Sequence, residues 1–214
     1  MGEFGVGTSG AGQVMGKTMY FAMRELEKEV RAKDKQDWPT KVSEVADLIG
    51  KRAHDLLMKQ TTAMSLDINT LPDTWEPLSF QVVGYEAETA TTILIGIGKG
   101  VNKQTFTGGG CTVMGQREVV GALWGLTPDA DDKPIYDQFS LQDAITYAEF
   151  LISATASHQQ FLRTMPTVGG DIDVALITPF DHFKWIRQKP LFAKISEKQD
   201  DQNEQTEKSE AATG

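Results

Sequence analysis

The sequence predicts an α+β fold in which two antiparallel sheets are each covered by a pair of helices. Apolar residues recur every three or four positions in two pairs of segments, as they do on amphipathic helices. Between and after those pairs, apolar residues recur at every second position, as they do on strands. Short polar links of the kind found in hairpins join these alternating segments. Stacking sheets and helices in layers buries all of these apolar faces together.

The first third of the chain is predicted to form a strand and two helices. Residues 3–12 form a short strand that enters a glycine-rich turn, GVGTSGAG. Helices follow at about residues 13–33 and 39–59, and Pro39 suits the first position of the second helix. The polar link KDKQDW favours an antiparallel pair. The two apolar stripes consist of Met15, Met19, Met23, Leu26 and Val30, and of Val42, Val45, Ile49, Ala53, Leu56 and Leu57.

The middle of the chain is predicted to be a sheet. LSFQVVGYE at residues 78–86 and TTILIGIGKG at residues 91–100 alternate in polarity, and the polar stretch between them indicates a hairpin. KQTFTGGG at residues 103–110 indicates a third, shorter strand that ends in glycines. A short helix is expected over residues 111–123, and the loop TPDADDKPIYD follows it.

The last part is predicted to contain the best-defined helix and two more strands. Ser140 opens this helix, with Asp143 at capping-box spacing. Strands are expected over residues 171–178 and 183–188, joined by PFDH. One domain is therefore expected over residues 1–195, followed by a disordered acidic tail at 196–214 that has no large apolar residue to bury. The predicted buried side of the helix consists of Leu141, Ile145, Ala148, Ile152 and Leu162.

Composition excludes several classes of protein. The net charge is -9 over 214 residues, which argues against a nucleic-acid partner, because phosphate binding needs a basic surface. Cys111 is the single cysteine, so an intrachain disulfide is impossible and a reducing compartment is expected. No long apolar run and no secretory leader pattern are found, so we expect no membrane contact. A cytoplasmic location is expected, or the nucleus in a eukaryote.

Five segments resemble, in order, segments of the proteasome-type subunits of the N-terminal nucleophile (Ntn) hydrolases. In that family they are a strand and turn before the first long helix, a hairpin, a glycine turn before the third helix, a helix with a characteristic start, and a GGxIDVxxIT strand with its return strand. The resemblance covers roughly residues 3–190. Here the segments read FGVGTSGAG, FQVVGYEAETATTILIGIGKG, TFTGGGCTVMG, SLQDAITYAEFLISA and TVGGDIDVALITPFDHFKWI.

The resemblance implies a four-layer αββα sandwich and a threonine-type peptidase that works inside a ring of subunits. In active members an N-terminal threonine attacks with its hydroxyl and uses its own amine as the base, while an Asp and a Lys on the next strands complete the site. The implied partners are other proteasome-like subunits or further copies of this chain, and peptides are the substrates of complete members. No cofactor and no metal are implied.

The sequence departs from the family at the residues that carry the chemistry. The family's Thr, Asp and Lys all precede the point that matches the start of this sequence, and Gly2 has no side-chain nucleophile. Gly109 replaces the serine of the glycine turn, and Met165 and Val168 stand at two supporting polar positions. We therefore expect a sandwich that is incomplete at its N-terminus, and an isolated chain without activity. A truncated record, a degenerate copy and a noncatalytic ring or scaffold subunit are alternatives that stay open.

Thr8, Ser9 and Gly10 are the part of the family's substrate-binding site that can be carried over. In the family, a backbone N–H of the turn around these residues lies in the oxyanion hole. No residue of this sequence can be assigned as catalytic, because none matches the nucleophile, its Asp or its Lys.

Other patterns have simpler explanations. Cys111 is a candidate for a thiol with a lowered pKa at a helix N-terminus, but a small buried residue near a turn is the favoured interpretation. GIGKG lacks the spacing of a phosphate loop, and a hairpin end needs such glycines itself. Asp171 and Asp173 could form a carboxylate pair, although solvated or capping roles are favoured. The histidines lack the spacing of metal ligands: His54, His158 and His182.

Overall fold

A computed structural model describes residues 4–125, 134–162 and 165–188 and confirms an α+β protein with antiparallel sheets. The main helices are α1 (Met19–Arg31), α2 (Val42–Ala63), α3 (Glu118–Gly125) and α4 (Leu141–Gln159). The strands are β1 (Gly5–Gly10), β2 (Gln13–Val14), β3 (Lys17–Thr18), β4 (Leu78–Glu86), β5 (Thr89–Ile97), β6 (Val101–Thr107), β7 (Val174–Thr178) and β8 (His182–Arg187).

The largest sheet has the strand order β1-β4-β5-β6, and all of its neighbours are antiparallel. The predicted hairpin between β4 and β5 is confirmed. Its two-residue turn, Ala87 and Glu88, has φ angles of 46° and 69°. Positive φ at both central residues matches the right-handed twist of the flanking strands, so this turn fixes the register of the pair. In that register Phe80 lies opposite Ile95.

One face of this sheet is covered by helices. Alternate residues of β4 and β5 are buried, and they pack with the apolar side of α2 and part of α1 into one core. Phe80, Val82 and Ile95 have no exposed surface in this core. The alternation of buried and less buried residues along β4 and β5 agrees with the alternating polarity of their sequences.

The hairpin of β7 and β8 packs on the opposite face of the sheet, beside β4 and the start of β1. Val82 faces the helices, so its neighbour Val83 points to the other side. Gly5 lies opposite Val83 in the register, and a Cβ added at Gly5 would lie 2.7 Å from Cδ1 of Ile177 in β7. Strand β1 is thus placed between a helical layer and a second antiparallel pair of strands.

The beginning of α1 differs from the prediction. A tiny hairpin of β2 and β3 occupies residues 13–18, where a helix was expected, and its turn has positive φ at Met15 (53°) and Gly16 (71°). Thr18 then caps α1, and its Oγ1 accepts a hydrogen bond from the Phe21 N–H over 3.2 Å. The periodic methionines obscured this boundary, because Met15 continues the apolar spacing of α1 without being helical.

Two other helix boundaries were wrong. Pro39 does not occupy the first turn of α2, which begins at Val42. The helix predicted to open at Cys111 begins at Glu118, so Cys111 lies in a non-helical segment after the glycines. The loops that precede α2 and α3 are therefore longer than the apolar pattern indicated.

The start of α4 is confirmed, but its predicted buried side is wrong. Ser140 and Asp143 form the capping box, in which the Asp143 N–H donates to Ser140 Oγ and the Ser140 N–H donates to the Asp143 carboxylate. Leu141 and Ile152, however, are 55% and 42% exposed, and Ala148 and Leu162 are exposed as well. Of the predicted stripe, Ile145 alone is partly covered. The buried positions are Leu151, Thr155 and Gln159.

The predicted final strands are present with shifted ends. Strand β7 begins at Val174, so the predicted strand loses residues 171–173, and β8 begins at His182. The predicted tail at 196–214 and the last residues of the predicted domain lie outside the described residues. Within the described part of the chain, no helix has the length and apolar character needed to cross a bilayer.

Candidate functional site

Thr8, Ser9 and Gly10 lie in the last half of β1, and the turn expected around them begins only after Gly10. In the register with β4, Ser9 lies opposite Ser79 and Gly10 opposite Leu78. Thr8 is exposed and Ser9 is half-buried. The segment therefore presents two hydroxyls and a run of strand backbone, a smaller set of groups than a nucleophilic site requires.

Gly10 is required by the close approach of two backbone segments. Its φ angle is 95°, and a Cβ added there would lie 2.3 Å from the carbonyl oxygen of Pro77. The same carbonyl accepts a hydrogen bond from the Ala11 N–H over 2.8 Å. The end of β1 is thus held against the start of β4 by a contact that no larger residue can make.

A cleft runs along β1, which is an edge strand of its sheet within the described residues. This β1 cleft has a volume of about 820 Å³ and opens between the helical layer and the hairpin of β7 and β8. Its polar groups include Arg24, Glu27, Gln81 and Asp173. Most of its walls are apolar and include, from the helices, Met23, Val45, Leu48 and Ile49, from β1, Val6, and from the hairpin, Leu176, Phe183 and Trp185. Such a lining suits an apolar or extended polypeptide occupant more than a small charged ligand.

Charges in the cleft are mostly held by neighbouring groups. Glu27 accepts hydrogen bonds from Arg24 and from Arg31, the latter over 2.7 Å. Partial burial acts to raise the pKa of Glu27, but the two guanidinium groups outweigh it and leave this pKa below its ordinary value. Asp171 and Asp173 are both exposed and precede β7 without forming part of it. Glu27, a carboxylate held by two guanidinium groups with a lowered pKa, is a poor candidate for acid–base chemistry at neutral pH.

The glycine turn leads into Cys111, which lines a second, smaller pocket. A Cβ added at Gly109 would lie 2.4 Å from Asp137 Oδ1, so a serine at this position would require the Asp137 side chain to move. Cys111 lines a cavity of about 230 Å³ together with Arg117 and Trp124. Burial raises the pKa of the Cys111 thiol. Cys111 is half-buried, and a raised pKa disfavours the reactive thiolate.

An aromatic cluster that the sequence analysis missed joins α3 to α4. The indole Nε1 of Trp124 donates to the hydroxyl of Tyr147 over 2.9 Å, and the Tyr147 ring packs edge-on against Tyr136 and Phe139. Burial, together with hydrogen bonding to Tyr147, raises the pKa of Tyr136 beyond its ordinary range. These residues come from α3, from α4 and from the segment just before α4, and they follow no motif, so only their aromatic character could have suggested the contact.

The histidines do not build a metal site. His54 Nε2 lies 3.3 Å from the Lys99 carbonyl oxygen, while His158 and His182 are exposed near the end of α4 and at the start of β8. Among the residues that the structure describes, no group of three or more potential metal-ligating side chains comes together.

Comparisons with known proteins give no additional support for any family. Neither the protein-family models nor the curated proteins contain a match to this chain.

Proposed function

We propose that this chain is a proteasome-like subunit of the Ntn hydrolase superfamily that contributes to assembly and has no peptidase activity of its own. In this proposal the four layers of an αββα sandwich are the α1–α2 pair, the sheet that contains β1, the β7–β8 sheet and the α3–α4 pair. Its partners are other proteasome-like subunits or copies of this chain.

The observation that carries the proposal is the stacking of two antiparallel sheets at β1. Gly5 packs against Ile177 and Phe183, while the opposite face of the same sheet packs against α2. The order of elements along the chain, with helix pairs between antiparallel strands, agrees with the order of the five resembling segments. A stacked pair of sheets with helices outside is a restricted architecture, so this agreement favours the family.

The absence of activity follows from the residues that surround Thr8, Ser9 and Gly10. An oxyanion hole stabilises the transition state of acyl transfer, but covalent peptidase chemistry also needs a nucleophile and a base beside it. On the neighbouring strand β4, the Ser79 hydroxyl donates to the Glu76 carboxylate over 3.1 Å. That carboxylate is therefore already engaged in a hydrogen bond with the strand. No residue of the 214 matches the family's catalytic threonine.

Covalent probes test the absence of activity. The purified chain should leave fluorogenic peptide substrates intact and should not be labelled by a threonine-directed epoxyketone or boronate. A Cys111→Ser variant, treated in parallel, separates thiol labelling from hydroxyl labelling. Stoichiometric modification of any hydroxyl would contradict the proposed lack of a nucleophile. Labelling that occurs in the native chain but not in Cys111→Ser would identify the Cys111 thiol as a nucleophile and would contradict the proposal as well.

The assembly role is favoured by the exposed apolar stripe of α4. Leu141, Ile145, Ala148 and Ile152 follow helical spacing on one side of α4, yet the chain itself leaves most of this side open to water. Contiguous apolar surface on a helix is typical of an interface, because single exposed apolar residues are ordinary but an exposed stripe is not.

A pair of matched substitutions tests this interface. Ile152→Glu should weaken self-association or ring formation by at least tenfold in apparent Kd, because it buries a charge in an apolar contact. Ser153→Glu adds the same charge at the next exposed position of α4, away from the stripe, and should leave assembly almost unchanged. If sedimentation velocity shows the same degree of association for both variants, α4 is not part of the proposed interface.

A further inference from the structure

We propose that two copies of this chain pair through β6 around a two-fold axis, so that their sheets join into one continuous antiparallel sheet. In this pairing Gln104 lies at the axis, and each β6 runs antiparallel to the β6 of the second copy. The pairing rests on the backbone and the charges of β6. It stands independently of the proposed function, in which α4 is the interface.

Strand β6 is an open edge of its sheet. It pairs with β5 on one side and is the last strand of the order β1-β4-β5-β6 within the described residues. All seven of its residues, Val101–Thr107, are exposed. Its ladder with β5 is regular, and β6 contains neither a bulge nor a proline, the devices that commonly keep edge strands from pairing.

The backbone groups of β6 that point away from β5 follow from the register. Directly after β6, the Gly108 N–H donates to the Ala90 carbonyl over 3.0 Å. Because alternate residues of an antiparallel ladder exchange hydrogen bonds with the neighbouring strand, Asn102, Gln104 and Phe106 bond to β5. The N–H and C=O groups of the other four residues therefore point outward: Val101, Lys103, Thr105 and Thr107.

These outward groups are self-complementary. When Gln104 lies on the two-fold axis, Lys103 is paired with Thr105 of the second copy, and Val101 with Thr107 of the second copy. The two strands then overlap along their whole length, and their outward groups form about eight hydrogen bonds between the copies. No two like charges stand directly opposite in this register, whereas an axis at Lys103 would place that residue opposite itself.

The single charge of β6 is compatible with this pairing. Lys103 Nζ forms an ion pair with Asp47 of α2, which holds the ammonium group on the helical face of the sheet. Across the axis the two Lys103 side chains are diagonal neighbours, roughly 7–8 Å apart, and each has its own Asp47 beside it. The two copies thus bring together two cations and two carboxylates, a neutral set in a protein whose net charge is -9.

The other edge of the sheet is less accessible to a second sheet. Strand β1 lies in the β1 cleft, whose walls include Leu48 of α2 and Trp185 of β8. Strand β6, by contrast, is exposed along its whole length. We therefore assign the pairing to β6.

Residue-resolved hydrogen exchange over a range of protein concentrations tests the pairing. The Ile152→Glu chain is used, so that association through α4 does not contribute. We expect the amides of Lys103 and Thr105 to exchange at least tenfold more slowly as the concentration rises, and the Gln104 amide, which bonds to β5, to be protected at every concentration. Exchange at Lys103 and Thr105 that ignores concentration would overturn the proposal. Protection that rises in β1 together with β6 would mean a head-to-tail contact of the two edges and would overturn it as well.

Three substitutions at the exposed Thr105 test the register in sedimentation velocity. Thr105→Pro removes an outward N–H, leaves the bonds to β5 in place and should raise the dissociation constant of the dimer at least tenfold. Thr105→Lys places a second ammonium group opposite Lys103 of the other copy and should also weaken the dimer, whereas Thr105→Glu places a carboxylate there and should retain or strengthen it. Circular dichroism and thermal melts of dilute samples check that each variant folds. Equal association of the Lys and Glu variants would overturn the proposed pairing.

Discussion

At the scale of single residues, the fold depends on a few positions where two backbone segments come into close contact. Gly10 is one of them, because its positive φ and its contact with the Pro77 carbonyl together exclude any side chain. The sequence indicates a glycine-rich turn here, but it does not reveal that the glycine is needed by a partner almost seventy residues away. Long-range contacts of this kind leave no local pattern.

Gly10→Ala should lower the free energy of unfolding by about 2 kcal/mol or more, since it adds backbone strain and a steric clash. Gly12→Ala is the matched control, because a Cβ at Gly12 meets no atom within 4 Å. Its effect should stay within about 1 kcal/mol. Urea unfolding of both variants measures the difference, and equal midpoints would show that β1 does not approach Pro77 as described.

At the scale of elements, the predictions succeeded where local chemistry decides and failed where tertiary packing decides. Ser140 and Asp143 were predicted to cap α4, because a capping box needs only groups within one turn of helix. The buried side of α4 was predicted wrongly. Periodicity identifies an apolar stripe, but it does not tell whether the same chain or another molecule covers that stripe.

The cap of α4 has a testable pH dependence. Hydrogen bonds from the Ser140 hydroxyl and N–H lower the pKa of Asp143 below its ordinary value. A carboxyl whose pKa is depressed in the folded state stabilises the protein above its unfolded pKa, and this contribution is lost as the pH falls through the folded pKa. Asp143→Ala should therefore be less stable than the native chain at pH 7 and approach it in stability in acid.

Thermal melts between pH 7 and pH 3 provide the measurement. Asp55→Ala, at an exposed position within α2, serves as the control and should show no comparable convergence with the native chain. A difference between Asp143→Ala and the native chain that stays constant over this pH range would mean that the carboxylate does not contribute to the cap.

At the scale of the whole molecule, the sequence order correctly predicted an α+β chain of antiparallel strands, while the β1 cleft and the exposed side of α4 emerged only from the packing. Both features depend on which helices and strands pack against each other, and the sequence pattern does not reveal this. The four-layer sandwich and the ring assembly stay proposals that follow from this arrangement and from the resembling segments.

The acidic tail at 196–214 gives a prediction for the intact chain. The sequence predicts a disordered segment here, because it contains no large apolar residue to bury, so limited trypsin treatment should cleave after Lys198 and Lys208 before it cleaves at lysines of the described residues. Mass spectrometry of the early fragments identifies the order of cleavage. Resistance at both Lys198 and Lys208 would contradict the predicted disorder.

Sedimentation velocity of the unmodified 214-residue chain, over a range of concentrations, tests the central claim most directly. A subunit that leaves an apolar helix stripe open to water should associate, because the stripe is removed from water only by a partner. The account predicts a defined larger species that grows with concentration. A monodisperse monomer at every concentration, with a sharp cooperative melt, would contradict the assembly role and the proteasome-like assignment from which it follows.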